Sequence, residues 1–124
     1  MHAPPQSPFL IVLTTLPEPA AAQALATALI ADGLAACVNV LAPCTSVYRW
    51  QGKVETAAET PLLIKTTAAV YPALEAAIRA RHPYELPEIV AVPVERGLPA
   101  YLAWVAASTA PPPPAPASSD PSAE

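Results

Sequence analysis

Apolar and polar positions change periodicity along the chain, and each change predicts a new element. Residues 9–13, FLIVL, form a continuous apolar run that predicts a strand buried on both faces. In residues 18–33 the apolar side chains recur every three or four positions, which predicts a helix. Gly33 closes that segment and suits the left-handed conformation that often ends a helix. The chain is therefore predicted to begin with a strand followed by a helix.

The middle of the chain, residues 35–67, predicts a hairpin with long arms. Strand-forming residues flank a tight turn at Gln51 and Gly52. Each arm holds about 15 residues, whereas a strand of about 5–6 residues is usual. Pro43 and Pro61 cannot donate ladder hydrogen bonds, so we expect a bulge or bend near both. A hairpin that overhangs its own domain exposes strand edges, which favours pairing with further copies of the chain.

The last third of the chain predicts a helix, a strand and a further helix. The first helix runs from about Val70 to Arg81, with Pro72 in its first turn. Residues 89–94, IVAVPV, predict a strand whose proline marks an edge or a bulge. Residues 97–108 carry apolar side chains at helical spacing. The order βαββαβ plus one C-terminal helix predicts a ferredoxin-like α+β fold, an antiparallel sheet with two helices on one face.

Composition and charge narrow the class of protein. Of the 124 residues, 53% are hydrophobic and 13% are charged, which fits a packed domain. The six basic residues are scattered and the formal charge is −4, so a nucleic-acid partner is not expected. No apolar run approaches the ~20 residues of a membrane span and no targeting segment is visible, so we expect a cytoplasmic protein without membrane contact.

Proline content sets the predicted domain limits. The folded, ferredoxin-like domain is expected over residues 9–109. Residues 1–8 carry three prolines and are expected to be a flexible segment. Residues 110–124 contain six of the 18 prolines and no apolar periodicity, so a disordered proline-rich tail is expected there. The chain also lacks a nucleophile elbow, a P-loop and a paired-histidine zinc motif, and we expect that it is not an enzyme.

Five runs of the chain resemble the CutA divalent-cation-tolerance proteins. In order they are LAACVNVL, TSVYRWQGKVE, LLIKTT, HPYELPEI and GLPAYLAWV, within about residues 9–108. The resemblance implies a ferredoxin-like protomer in a tight homotrimer built around the long hairpin, with an architecture similar to PII signalling trimers. It also implies a role in tolerance of copper and other divalent metals. We expect no required cofactor and Cu²⁺ as a weak ligand.

The metal site of that family carries over only in part. Thr14 stands where the family has a cysteine, and its hydroxyl is a poor ligand for soft metals. Arg81 replaces the first member of a histidine pair, and a guanidinium does not ligate metal. The predicted metal ligands are therefore His82, Glu85 and Cys37. Two alternatives stay open: His82 as a helix cap, with a proton favoured by the helix dipole, and Cys37 as a small core residue.

Residues 81–89, RHPYELPEI, predict a rigid helix stop and are the best candidate for a cleft wall. A second hypothesis of function follows from this segment. A PII-like trimer would bind a small molecule between subunits, near Trp50, Lys65, Tyr84 and Glu88. For Lys65 and Glu88 two alternatives stay open, a half-buried ion pair or an ordinary exposed pair worth about 0–1 kcal/mol. A third hypothesis is a stable scaffold without a ligand, whose partners contact the proline-rich tail.

Overall fold

The computed structural model of the chain describes residues 7–110. The predicted flexible and disordered segments lie outside this range, apart from residues 7, 8 and 110. Five strands and three helices follow one another along the described part of the chain. They are β1 (Phe9–Leu16), α1 (Pro19–Ala31), β2 (Cys37–Val40), β3 (Cys44–Trp50), β4 (Lys53–Thr67), α2 (Tyr71–Arg81), β5 (Val90–Pro93) and α3 (Pro99–Ala107).

The strands form an antiparallel sheet in the spatial order β2–β4–β1–β5, and β3 also pairs with β4. Strand β4 is the longest, and it pairs with β1 along one edge and with β2 and β3 along the other. Strand β5 pairs with β1 alone among the described strands, which agrees with the edge position that Pro93 predicts. The predicted ferredoxin-like α+β fold with an added C-terminal helix is confirmed.

The first arm of the long hairpin is divided in two, which is why the sheet has five strands. Val40 faces Leu62 and Cys44 faces Glu59, so the three residues 41–43 lie opposite only two residues of β4. This one-residue bulge contains Pro43, and the predicted irregularity there is confirmed. Strand β4 itself continues without a break through Pro61, so the bulge or bend predicted there is wrong for this strand. The carbonyl oxygen of Pro61 accepts a hydrogen bond from the N–H of Leu41 at 3.0 Å.

The turn of the hairpin is made by two residues with left-handed backbone. Gln51 has φ of 49° and Gly52 has φ of 80°, and Trp50 pairs with Lys53 across them. Two consecutive positive φ values give a turn whose twist matches that of paired strands. The tight turn predicted from these residues is therefore confirmed.

The core lies between α1, α2 and one face of the sheet. Side chains alternate in and out along β1 and β4, and the even-numbered ones point to the helices. Helix α1 ends at Gly33, whose φ of 71° lets the chain turn back onto the sheet. Helix α2 ends at His82, which takes extended backbone (φ −83°, ψ 136°) because Pro83 follows it. The largest fully buried apolar side chains are Leu16, Leu29, Leu62, Ile64, Leu74, Ile78, Val12 and Val70.

The C-terminal part of the fold is much less covered. All residues of β5 are exposed. In α3 only Val105 is buried, while Leu98, which precedes the helix, is 70% exposed and Trp104 is 47% exposed. The predicted apolar stripe of this helix is present, but a single chain covers little of it. Within residues 7–110 no helix is long and apolar enough to cross a membrane.

Candidate functional site

A cleft of about 880 Å³ opens beside the point where β4 changes partners. One wall is β3, with the rings of Tyr48 and Trp50. The opposite wall is the segment 83–88, which leads from α2 towards β5. The floor contains Thr15, from the end of β1, and Glu59, from β4. The sheet thus holds the floor rigidly, while two prolines stiffen the opposite wall.

Glu59 is a buried carboxylate at the floor of this cleft, with 9% of its surface exposed. The hydroxyl of Thr15 donates to its Oε2 atom at 3.1 Å. Tyr84 stands on the other side, and its pKa is raised to about 12 by burial, then by a hydrogen bond to Glu59 and by the charge of that residue. The negative charge of Tyr48, when ionised, adds a smaller contribution in the same direction. The two hydroxyl groups beside Glu59 are therefore neutral at physiological pH.

His82 anchors the wall that carries Tyr84. Its ring is buried, with Nε2 at 2.6 Å from the carbonyl oxygen of Thr15. Its Nδ1 accepts a hydrogen bond from the backbone N–H of Tyr84 at 3.1 Å. An acceptor nitrogen carries no proton, so these partners assign the proton to Nε2 and leave the ring neutral. The helix-cap hypothesis is right about position, but the proton favoured by the helix dipole is not compatible with this arrangement.

The three predicted metal ligands do not converge within one chain. Both ring nitrogens of His82 are engaged in hydrogen bonds, and Glu85 lines the cleft from its exposed wall. Cys37 faces Lys65 on β4. Lys65 lies four residues along β4 from the residue that faces Thr15, and this separation is roughly 13 Å at strand spacing. Among the described residues no group of three or more histidine, cysteine, aspartate or glutamate side chains could hold a metal ion. Within residues 7–110, a single chain therefore does not assemble a site for a divalent metal.

The two positions that differ from the family pattern have other surroundings. Thr14 is 1% exposed and its hydroxyl has no hydrogen-bond partner. Arg81 lies 3.9 Å from Asp32, with both side chains more than half exposed. Neither side chain points to a shared ligand.

Three of the four residues predicted for a ligand cleft do lie together. Trp50, Tyr84 and Glu88 all line the cleft described above. Lys65 does not, because its ammonium group contacts the side-chain oxygen of Asn39 and lies 3.8 Å from the sulfur of a half-buried cysteine. This cysteine, Cys37, also raises the pKa of Tyr101 in α3, although burial raises that pKa more.

The predicted ion pair between Lys65 and Glu88 is wrong. Lys65 faces Ile11, whereas β5 begins with Val90 opposite Leu13. Glu88 comes two residues before that strand, so the two charges lie about four strand residues apart, or roughly 13 Å. Lys65 lies near the end of β4, and Glu88 lies just before the start of β5. These two positions are at opposite ends of the sheet.

Sequence reasoning missed the floor of the cleft. Glu59 precedes the apolar run of β4, and a charge beside a buried strand segment was the available signal. Thr15 lies 44 residues away along the chain, and only the β1–β4 register brings the two together.

Fold and cleft together define a ferredoxin-like α+β protein with a ligand-sized pocket beside its hairpin. A family model described as CutA1 divalent ion tolerance protein matches residues 10–108. The chain is 46% identical over 99 residues to the divalent-cation tolerance protein CutA of Thermus thermophilus, covering 80% of this chain and 96% of that one. Protein CutA of Mus musculus is 45% identical over 91 residues, covering 73% of this chain and 51% of the mouse protein.

Solved structures agree with these relatives. The crystal structure of CutA1 from Oryza sativa superposes with a TM-score of 0.81 at 41% identity, covering 85% of this chain and 96% of the rice chain. The chain therefore belongs to the CutA1 divalent ion tolerance family, and the resemblance seen in its sequence is confirmed.

Proposed function

We propose that this protein serves divalent-cation tolerance as a ligand-binding protein, with the cleft around Glu59 as its binding site. The observation that carries the proposal is a preformed cleft of about 880 Å³ with a buried carboxylate on its floor. Pockets of this size with a few oriented polar groups are the usual sites for small molecules. The names of the relatives support the tolerance role. No reaction is proposed for the cleft, and the analogy to PII signalling proteins rests on architecture alone.

The same proposal includes a homotrimer. Support comes from large apolar side chains that a single chain leaves exposed, since such patches usually mark an interface. Val47 and Val54 on the hairpin are 66% and 69% exposed, and both residues of the pair Val90 and Val92 on the edge strand are nearly half exposed. A ring of three copies would cover the hairpin of each copy with its neighbour.

Light scattering on the full chain tests this assembly. The wild type is expected to have three times the chain mass. Val54→Glu places a charge on the hairpin and is expected to lower that mass, whereas Ala24→Glu, at an exposed position of α1, leaves it unchanged. A wild-type mass equal to one chain would refute the trimer.

Weak copper binding is the second candidate; the names of the relatives speak of divalent-cation tolerance, and copper is the divalent cation we propose. Copper bound at His82 must displace either the carbonyl of Thr15 or the N–H of Tyr84, so the free energy of binding loses a hydrogen bond. Glu85 supplies only one exposed carboxylate nearby. We therefore propose that copper affinity is low.

A cytoplasmic location belongs to the same proposal, supported by two cysteines that form no disulfide within the described chain.

The binding proposal is tested with fluorescence from a single tryptophan. Trp104→Phe removes the exposed indole of α3 and leaves Trp50, in the cleft wall, as the reporter. Titration with Cu²⁺, Zn²⁺, nucleotides and small amines, repeated by calorimetry, is expected to give at least one saturable change in Trp50 emission. No response to any of these compounds by either method would refute a ligand-binding function.

A further inference from the structure

We propose that the cleft selects small organic cations, and that Glu59 is the counter-ion of a bound ammonium group. This inference rests on the proposed ligand-binding function and names its ligand class. The ammonium group would sit at the floor, and the apolar part of the ligand would lie against Tyr48 and Trp50.

The first argument is the charge of the floor. A buried carboxylate is costly unless a positive group or several hydrogen bonds compensate for it. Glu59 receives a hydrogen bond from the hydroxyl of Thr15 and has the hydroxyl of Tyr84 beside it, but both hydroxyl groups are neutral. Among residues 7–110, the one ion pair joins two other side chains, Arg81 and Asp32. Glu59 therefore has no basic partner in the described chain.

The second argument is the charge of the walls. Glu85 and Glu88 line the same cleft, and no lysine or arginine of the described chain lines it. Three carboxylates around a partly enclosed space produce a negative potential that concentrates cations and repels anions. Phosphate-bearing ligands such as nucleotides are accordingly disfavoured, despite the PII-like architecture. The cleft is matched in sign to an amine.

The third argument separates an organic cation from a metal ion. The three carboxylates do not form a group that could hold a metal, so the described residues offer too few ligands to a divalent ion. An ammonium group needs only one good carboxylate and gains further from aromatic faces. Tyr48 and Trp50 both line the cleft, so their rings can contact a ligand bound in it. A volume of about 880 Å³ also fits an organic molecule rather than a single ion.

A matched charge series tests the inference on the full chain carrying Trp104→Phe. Phenylethylamine is the cation, phenylethanol the neutral analogue and phenylacetate the anion. Affinities are read from Trp50 emission and by calorimetry. We expect the amine to bind about tenfold more tightly than the alcohol, as one compensated charge would give, and the anion to bind least.

Substitutions at the floor locate the effect. Glu59→Gln keeps the shape of the side chain and is expected to abolish the preference for the amine while leaving the affinity for the alcohol unchanged. Glu59→Asp keeps the charge but withdraws it, and an intermediate preference is expected. Glu95→Gln, at an exposed position outside the cleft, is the control and should leave all three affinities unchanged. Circular dichroism confirms that each variant is folded, and Glu59→Asp supplies the comparison if Glu59→Gln is not.

Several outcomes would overturn the inference. Equal binding of amine and alcohol, or an amine preference that survives Glu59→Gln, would remove Glu59 as the counter-ion. Binding of the alcohol without the amine would mean that a basic side chain of a second copy, such as Arg49 or Lys53, already neutralises the floor. Each of these three results would leave the proposed ligand-binding function intact. Failure of all three compounds, together with failure of metals and nucleotides, would instead refute the proposed function itself.

Discussion

The two halves of strand β4 are both regularly paired but have opposite surroundings. The first half, residues 53–58, pairs only with β3, and Val54 within it is 69% exposed. The second half, residues 60–67, pairs with β1 and in part with β2, and it carries Leu62 and Ile64 at 0% exposure. Both halves keep regular strand pairing throughout. The difference therefore lies in what covers the strand rather than in the strand itself.

This comparison shows how one element can serve both core and cleft. Helices α1 and α2 cover only the second half, and their apolar faces define where the core ends. Glu59 stands at that boundary, where pairing with β3 stops and pairing with β1 begins at Thr60. Its carboxylate lines the cleft, while the next residue, Thr60, points to the core side of the sheet. The cleft thus lies where β4 extends beyond the helices that cover its second half.

The largest expected effect comes from shortening a side chain in the covered half. Ile64→Ala removes a fully buried side chain from the core and is expected to lower the free energy of unfolding by about 2–5 kcal/mol. Val54→Ala in the uncovered half is expected to cost less than about 1 kcal/mol at low protein concentration. Denaturant titration of both variants measures the difference. Equal losses that do not depend on protein concentration would contradict the distinction between the halves.

Local features of the fold were predictable from sequence, because short-range rules determine them. The end of α1 at Gly33, the two-residue turn at Gly52 and the end of α2 before Pro83 each follow from one special residue. Pro43 likewise marked the bulge that divides the first hairpin arm.

Features that depend on strand register were not predictable. The bond between Thr15 and Glu59 needs the alignment of β1 with β4, which no local pattern specifies. The same ignorance of register produced the mistaken pairing of Lys65 with Glu88. Propensity shows that segments are strands, but only the packed sheet decides which side chains lie side by side.

The next expected effect concerns the carboxylate at the boundary between the halves. The pKa of Tyr84 is about 12, raised from 10.0 by burial first and then by Glu59. Glu59→Gln is expected to lower this pKa part of the way back, because burial remains. Ultraviolet absorbance of tyrosinate during an alkaline titration measures the pKa, with Tyr84→Phe identifying the signal. An unchanged value in Glu59→Gln would contradict the contact between the two side chains.

The raised pKa also has a consequence for stability. Below pH 10 the Tyr84 phenol is neutral in both the folded and the unfolded chain, so its stabilising contribution is complete. Between about pH 10 and pH 12 the unfolded chain ionises first, and that contribution is lost as pH rises. Tyr84→Phe is therefore expected to flatten the fall of stability over this alkaline range.

A smaller effect is expected on the covered face of the sheet, from Thr14 on β1 and Thr66 on β4, which have the same exposure of 1%. Thr14 has no hydrogen-bond partner for its hydroxyl, whereas Thr66 donates to the carbonyl oxygen of Leu34 at 2.8 Å. Thr14→Val removes an unsatisfied buried group and is expected to raise the free energy of unfolding by about 1 kcal/mol. Thr66→Val is the matched control and is expected to lower it by a similar amount. A loss in both variants would mean that the hydroxyl of Thr14 does have a partner.

The smallest effect is expected from salt, because neither half of β4 depends on ion pairs. Within residues 7–110 a single ion pair is present, Arg81 with Asp32, and it is long and more than half exposed. Exposed pairs contribute about 0–1 kcal/mol, and 1 M sodium chloride shortens the screening length to about 3 Å. The melting temperature measured by calorimetry should therefore shift by no more than a few degrees between low salt and 1 M. Arg81→Ala at low salt should shift it equally little. A large fall of the melting temperature with salt in the wild type, absent from Arg81→Ala, would contradict this prediction. It would show that the pair of Arg81 with Asp32 contributes substantially to stability.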